Sequence, residues 1–252
     1  VVSRIASPYD LNPFNLNPLR DILKKSVDFD RVRSGMLKLF VSATNVETGR
    51  TKVFKRKELT VDHVLASACL PFMFQAVMID GVPYWDGGYM GNPPLWPLFE
   101  HAQSDDVMIV QINPVRRPGV PRTARDILNR LNEITFNASL LRELRAIDFV
   151  TRLMDEGRLD GTGYRRVLVH LIEDELSLSA LGASSKLNTE HDFLDMLFAK
   201  GRQAADRWMS THFDALGERS TVEIRDLFQG DEDALDGERI TRDARFRQSS
   251  AE

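Results

Sequence analysis

The sequence predicts an α/β protein, and the order of its apolar segments leads to that prediction. Residues 107–112 form a short, nearly continuous apolar run, which is typical of a strand buried on both faces of a parallel sheet. A helix predicted from about residue 92 to residue 102 precedes this run, and strand-like segments precede the helix. Alternation of strand, helix and strand indicates a sheet covered by helices.

The first seventy residues divide into a loop, a helix, two strands and a second helix. Three prolines predict the loop over residues 3–18, since proline is excluded from helix interiors. Asn17 is expected to cap the following helix, with Pro18 at its first position. The remaining predicted elements are strands at 37–43 and 51–54, a turn at 47–50, and a helix at 61–70 that Thr60 caps and Pro71 ends.

Beyond residue 115 the pattern becomes mostly helical. A long helix is predicted over residues 123–156, followed by a strand at 166–172 and a helix at 189–215. The long helix is expected to pack on the rest of the protein through a stripe of apolar residues three or four positions apart: Ile127, Leu131, Ile134, Ala138, Leu141, Leu144, Ile147 and Val150. Residues 218–252 are rich in charges of both signs and are predicted to be a largely disordered tail with a short helix near residues 224–228.

Composition excludes several classes of protein. The 252 residues are 42% hydrophobic and 28% charged, with a net charge of −4, so a general nucleic-acid binder is not expected. No apolar run approaches the roughly 20 residues of a membrane-spanning helix. The chain begins with Val1 rather than methionine, which predicts a piece of a longer protein. With one cysteine and no signal-peptide pattern, we expect a cytoplasmic location, with peripheral membrane contact as an alternative.

The stretch from residue 79 to residue 94 contains two turn signals. Asp80-Gly81 favours a tight hairpin turn whose two central residues have positive φ. Asp86 follows a strand-like segment and is followed at once by Gly87 and Gly88, which permit unusual backbone conformations or close approach of another segment. A carboxylate presented in this way can act as a general base, although a simple turn is the alternative interpretation.

Several separate motifs occur in an order that resembles a known family. They are Ser-Pro-Tyr-Asp-Leu-Asn-Pro at 7–13, Phe-Val-Ser-Ala-Thr at 40–44, Ala-Ser-Ala-Cys-Leu-Pro at 66–71, Phe74, Ile-Asp-Gly at 79–81, Asp-Gly-Gly at 86–88 and Asn-Pro-Pro at 92–94. Together they resemble the second half of a patatin-like phospholipase domain over roughly residues 3–115. Residues 122–215 resemble a helical extension found in some bacterial members.

The resemblance implies a fold, an activity and a site. The fold would be three-layered α/β, with a mostly parallel sheet between helices, incomplete at its N-terminus. Domains are expected at 1–115 (patatin-like), 116–217 (helical extension) and 218–252 (tail). The activity would be hydrolysis of acyl esters of glycerolipids by a serine–aspartate dyad, in which Asp86 is the catalytic aspartate and residues 86–88 form the family's Asp-Gly-Gly motif. No metal or organic cofactor is implied.

The family's nucleophile lies in a Gly-x-Ser-x-Gly motif that this sequence does not contain. The nearest candidate, Gly182-Ala-Ser184, lacks the final glycine and follows no suitable strand. The isolated chain is therefore expected to be inactive, because removing the nucleophile costs most of the acceleration. The alternative function is a non-catalytic lipid- or protein-binding module on the same fold.

The remaining candidates are assigned to ordinary structural roles. The five histidines show no close metal-ligand spacing, and His63 is expected to be a packed or surface helix residue. Cys69 is expected to be a buried structural thiol. The aromatic residues near 72–74 and 85–96 are interpreted as core, with an acyl-binding pocket as the alternative. A basic cluster is interpreted as a solvated linker, with contact to anionic lipid headgroups as the alternative: Arg116, Arg117, Arg122 and Arg125.

Overall fold

A computed structural model describes residues 6–181, 185 and 188–229 of the chain. Its helices are α1 Pro8–Leu11, α2 Pro18–Ser26, α3 Phe29–Ser34, α4 Val61–Ser67, α5 Trp96–His101, α6 Ala124–Asp155, α7 Glu175–Ser179, α8 His191–His212 and α9 Ile224–Gln229. Its strands are β1 Phe40–Asn45, β2 Thr51–Lys55, β3 Val77–Ile79, β4 Val82–Asp86, β5 Asp106–Val110 and β6 Leu168–Ile172. The predicted α/β class and the helical C-terminal region are confirmed.

The chain divides into two compact units, each made of three segments. The first comprises Val1–Asp105, Ile112–Glu143 and Glu175–Glu190, and the second comprises Asp106–Gln111, Leu144–Asp174 and His191–Glu252. The units alternate along the sequence. The domain boundaries expected at residues 115 and 217 stay a prediction.

The first unit contains a four-stranded sheet with the order β2-β1-β4-β3. All three strand pairs in it are antiparallel. Helix α4 packs on β1, β3 and β4, and the core beneath it contains Ala43, Phe54, Leu59, Ala66 and Tyr84. Burying a side chain the size of leucine or phenylalanine contributes about 1.5–3 kcal/mol, so this cluster fixes the sheet against the helix.

The pairing in this sheet corrects the predicted mostly parallel arrangement. Only β5 and β6 pair in parallel among the described strands. The physical reason is connection length. A two-residue turn at Asp80-Gly81 joins β3 to β4, and such a turn can join only antiparallel strands. The parallel partners β5 and β6 are instead separated by the long helix α6, as a crossover requires.

The second unit is built on the parallel pair β5–β6. His170 on β6 is fully buried, and its Nε2 lies 2.9 Å from Oδ1 of Asp106 while its Nδ1 lies 3.2 Å from Oγ1 of Thr221. Because a carboxylate only accepts, Nε2 donates to Asp106, and a neutral ring then accepts at Nδ1. The indole of Trp208 stands edge-on to the same ring at 5.6 Å. A buried polar ring is thus fully hydrogen-bonded, as burial requires.

The burial of β5 differs from the prediction that both of its faces are covered. Val107 and Ile109 are buried, but Met108 and Val110 are exposed, so the strand is buried on one face rather than two. The run is apolar on both faces in sequence, but the elements packed against the sheet decide which face is covered. In the described part of the chain, β5 has β6 as its single neighbour.

Three short helices were missed and one apolar stripe was misplaced. Helices α3 and α7 lie where no helix was predicted, and α1 lies within the predicted loop. On α6 the predicted stripe is exposed at Ile127, buried at Leu144 and Ile147, and partly buried at its last member, Val150. Its members recur every 3.3 residues on average, roughly, whereas a helix has about 3.6 residues per turn, so the stripe winds around the helix instead of following one face.

Candidate active site

Asp86 is the last residue of β4, and its backbone is fixed from two sides. Its register partner on β1 is Ala43. Its amide donates to the carbonyl of Cys69 at 2.9 Å, and its carbonyl accepts from Oγ1 of Thr44 at 2.8 Å. Asp86 is therefore held at the strand end as the sequence predicted, with the Asp80-Gly81 hairpin closing the other end of the strand pair. The φ values of 50° and 79° at that hairpin confirm the predicted turn.

The carboxylate of Asp86 is half-buried and makes one hydrogen bond. Its Oδ1 accepts from the amide of Gly88 at 2.7 Å. No donor within residues 6–181, 185 and 188–229 reaches its Oδ2. Burial raises the pKa of Asp86 above its usual value, and the Gly88 amide opposes that change. One carboxylate oxygen is thus positioned, and the other is available to accept a proton.

Both glycines of the Asp-Gly-Gly motif are required by close packing. A Cβ added at Gly87 would lie 2.3 Å from the carbonyl oxygen of Ser42, and one added at Gly88 would lie 2.7 Å from a ring carbon of Phe136. Neither glycine has a positive φ. The predicted close approach is confirmed, whereas unusual backbone dihedrals are not the reason for these glycines.

A cavity of about 750 Å³ lies at this end of the sheet. Trp85 and Tyr89, which lie on either side of Asp86 in the sequence, line this cavity. Residues Ser7–Asp10 near the start of the chain line it as well. Its other walls include Phe72 and Met90. The structure thus brings the predicted motif at residues 7–13 together with the flanks of the Asp86 motif.

Several aromatic residues near Asp86 are exposed rather than core, contrary to the favoured interpretation, although Tyr84 belongs to the core. The side chain of Phe72 is 75% exposed, and Tyr89, Met90 and Trp96 are also exposed. Of these side chains, Phe72, Tyr89 and Met90 border the cavity. Burial, and then the nearby charge of Asp86, raise the pKa of Tyr89.

Helix α6 contributes to this site, which the sequence did not predict. Phe136 packs on Gly88, and its ring centroid lies 6.0 Å from that of Tyr89. Oγ of Ser139 accepts from the amide of Asn92 at 3.0 Å. The available signal was the pair of polar residues Asn137 and Ser139 within an amphipathic helix. Asn137 is buried and donates to the carbonyl of Pro114 at 2.9 Å, so it is a packing residue.

The other candidate residues take structural roles. His63 is buried, its Nδ1 lies 3.1 Å from the amide of Thr60, and burial lowers its pKa. Cys69 is buried, as predicted, and its Sγ donates to the carbonyl of Gln75 at 3.2 Å. The candidate elbow at residues 182–184 lies outside the described residues. Of the basic cluster, Arg117 is not solvated but makes paired hydrogen bonds to Glu133 at 2.6 and 3.0 Å.

The described residues hold neither a metal cluster nor a membrane-spanning helix. No group of three or more histidine, cysteine, aspartate or glutamate side chains in that part of the chain is arranged to hold a metal ion. Among the described helices, none combines the length and the apolar composition that crossing a bilayer requires.

Fold and site together define an α/β protein with a strand-end carboxylate, two tightly packed glycines and an apolar cavity. Residues 11–99 match the family model of Patatin-like phospholipase, so this region of the chain is similar to that family, as the motifs predicted. At the level of the family, the match supports hydrolase activity in lipid metabolism. A search of curated proteins found none that matches the chain.

Proposed function

We propose that this chain provides the general base, Asp86, of a serine–aspartate dyad that hydrolyses acyl esters of glycerolipids. The observation that supports the proposal most directly is the half-buried carboxylate of Asp86, with Oδ1 bound to the Gly88 amide and no described donor at Oδ2. The nucleophilic serine would come from polypeptide outside these 252 residues, which contain no Gly-x-Ser-x-Gly.

The electrostatic setting suits a base. An aspartate in water is a weak proton acceptor at neutral pH, and burial raises the pKa of Asp86 towards the range in which proton transfer is efficient. The Gly88 amide limits that rise, so the carboxylate is both oriented and kept ionisable. Because Thr44 and Cys69 fix its backbone, the carboxylate would need little reorganisation to meet a serine.

The cavity suits an acyl chain. Its volume of about 750 Å³ lies in the range of sites for small organic ligands. Its walls include the apolar side chains of Pro8, Phe72 and Met90, which carry no charge. An aliphatic chain in this cavity would exclude water from the walls, and burial of each CH₂ group contributes about 0.8 kcal/mol.

The reaction would proceed in two halves. The serine oxygen attacks the ester carbonyl while Asp86 accepts the serine proton, and the leaving alcohol takes that proton as the ester bond breaks. Asp86 then accepts a proton from water as the water oxygen attacks the acyl-enzyme, and it returns that proton to the serine oxygen as the acyl–serine bond breaks and the fatty acid leaves. No metal or organic cofactor takes part in this scheme.

The alternative is a non-catalytic lipid- or protein-binding module. The absence of Gly-x-Ser-x-Gly from the 252 residues favours it, since the cavity alone is sufficient for binding. The coding sequence upstream of Val1 distinguishes the two. A glycine-rich loop followed by Gly-x-Ser-x-Gly supports the enzyme, and their absence supports the module.

The biochemical test uses a protein that carries this chain together with the proposed serine. Hydrolysis of a p-nitrophenyl acyl ester should fall at least about 100-fold in Asp86→Asn, because a general base contributes roughly 10²–10⁴. The matched control is Asp80→Asn, the same chemical change at the hairpin turn, where asparagine suits a positive φ. Equal activity of the two variants would refute the role of Asp86.

The 252-residue chain serves as a second test. We expect it to hydrolyse no ester and to take no label from a serine-reactive fluorophosphonate. Hydrolysis by this chain that is lost in Asp86→Asn would show that the nucleophile lies within it.

A further inference from the structure

The first half of α6 carries an exposed apolar face. Ile127, Leu128, Leu131 and Ile134 form this outer α6 face, and their side chains are 42%, 49%, 54% and 51% exposed. Three of them recur at spacings of four and three residues, which places them on one side of the helix. An apolar patch of this kind on a folded protein usually marks an interaction site.

The opposite face of the same helix is already packed. Leu140 and Asn137 are buried, and Phe136 lies against Gly88 beside the candidate active site. The packing of α6 in its own unit therefore uses the inner face, and the outer α6 face is not needed for it.

Acidic and basic side chains around the outer α6 face differ in their contacts with the protein. Of the three carboxylates between residues 124 and 143, two are engaged by the protein: Glu133 pairs with Arg117 and Arg130, and Glu143 accepts from the backbone amides of Leu95 and Trp96. Asp126 accepts from Oγ1 of Thr123 but is exposed to solvent. The arginines Arg122, Arg125 and Arg142 are exposed at its two ends. The solvent-facing side of this segment is consequently apolar in the middle, with three arginines against one aspartate at its ends.

We propose that the outer α6 face docks on the surface of an anionic lipid bilayer. Helices that lie in a membrane interface combine apolar side chains, which enter the headgroup boundary, with arginine or lysine beside them. Each basic residue near an anionic membrane contributes about 1 kcal/mol, which is roughly fivefold in binding. Arg122, Arg125 and Arg142 together contribute a factor of about 100.

A second copy of the chain fits this face less well. In a two-fold symmetric dimer the same patch meets itself, so the arginines at one end would face Arg142 of the other copy. Like charges in an interface oppose association, whereas an anionic lipid surface attracts all three arginines at once. Charge complementarity therefore selects the membrane as the occupant.

Docking is separate from the catalytic proposal, and its test is a binding measurement. The 252-residue chain is sedimented with vesicles of phosphatidylcholine alone and with vesicles that also contain phosphatidylglycerol. We expect binding to the anionic vesicles that weakens with added salt, and little binding to the neutral ones. Asp86→Asn is expected to bind the vesicles as well as the unmodified chain does. Failure of the catalytic proposal would therefore leave the expected vesicle binding unchanged.

Two variants test the outer α6 face itself. Replacing Arg122, Arg125 and Arg142 by glutamine should weaken binding to anionic vesicles by about 100-fold. Replacing Ile127, Leu131 and Ile134 by serine should weaken it by at least about tenfold, because each loses apolar area that enters the interface. Circular dichroism confirms that both variants fold.

Matched controls remove equal charge and equal apolar surface elsewhere. The charge control replaces Lys24, Lys25 and Lys57 by glutamine, and the apolar control replaces the exposed Phe14 and Leu16 by serine. Binding that is unchanged in both outer-face variants, or lost equally in the controls, overturns the proposal. The proposal is also overturned if the unmodified chain does not bind vesicles and instead forms a dimer that the Ile127, Leu131 and Ile134 substitutions dissociate.

Discussion

Replacing Gly87 by alanine is expected to destabilise the first compact unit strongly. The added Cβ would lie 2.3 Å from the carbonyl oxygen and 2.4 Å from Oγ of Ser42. Ser42 lies inside β1, between strands β2 and β4, so its carbonyl cannot move without disturbing two strand pairs. The clash must therefore be relieved by displacing the turn that carries Asp86.

The magnitude follows from the distances. Real Cβ atoms essentially never approach another heavy atom within 3.0 Å, and overpacking in a well-packed region costs about 1–3 kcal/mol. Because the added Cβ would contact a strand carbonyl, we expect Gly87→Ala to cost about 3 kcal/mol in stability, near the upper end of this range. In a unit of this size that loss lowers the melting temperature by roughly 6–12 °C.

The assay is urea and thermal unfolding of the 252-residue chain, followed by circular dichroism. The control is Gly201→Ala in α8, where an added Cβ meets nothing within 4 Å. Alanine is favoured over glycine in a helix by about 1 kcal/mol, so this control should be stabilised. If Gly87→Ala unfolds within about 0.5 kcal/mol of the unmodified chain, the argument from close approach is refuted.

Three further predictions concern charge and capping. Burial raises the pKa of Asp86, so its ionised form increasingly destabilises the fold as the pH rises above the ordinary aspartate pKa of about 3.9. Asp86→Asn should therefore gain stability over the unmodified chain as the pH is raised from that value, measured by urea unfolding. Burial raises the pKa of Glu133, but hydrogen bonds from Arg117 and Arg130 outweigh it and lower the pKa overall. Glu133→Gln should therefore lower the free energy of unfolding by about 1–3 kcal/mol near neutral pH, and this loss should shrink as the solution is acidified. A loss of stability that does not depend on pH would contradict this. Asn17→Ala should lower stability by about 1 kcal/mol because the helix cap is lost, whereas Asn17→Ser should lower it much less. Equal melting temperatures for the two variants would contradict the capping role.

Local turn and cap chemistry could be predicted from the sequence. Asn17 caps α2 through a hydrogen bond from the amide of Leu19 at 3.1 Å, as its position before a proline indicated. Asp80-Gly81 adopts the positive φ values that its dipeptide favours. Each of these signals lies within a few residues, so the backbone conformation depends on neighbours that the sequence displays directly.

Features that depend on distant partners were harder to predict. The Asp86 motif was located correctly, but its contact with Phe136 joins residues about fifty positions apart. The exposed side of α6 was also missed, because an apolar pattern shows that a face exists and does not show what covers it. The role of Asp86 as a base and the docking of the outer α6 face stay predictions for the experiments described above.

The buried thiol of Cys69 has a practical consequence for following these experiments. It is the one cysteine in the 252 residues, its carbonyl accepts the amide of Asp86, and burial raises its pKa. A thiol reagent can therefore modify the chain only when the segment beside the carboxylate opens. The rate of that modification measures local opening around Asp86 with no added label and no background from a second thiol.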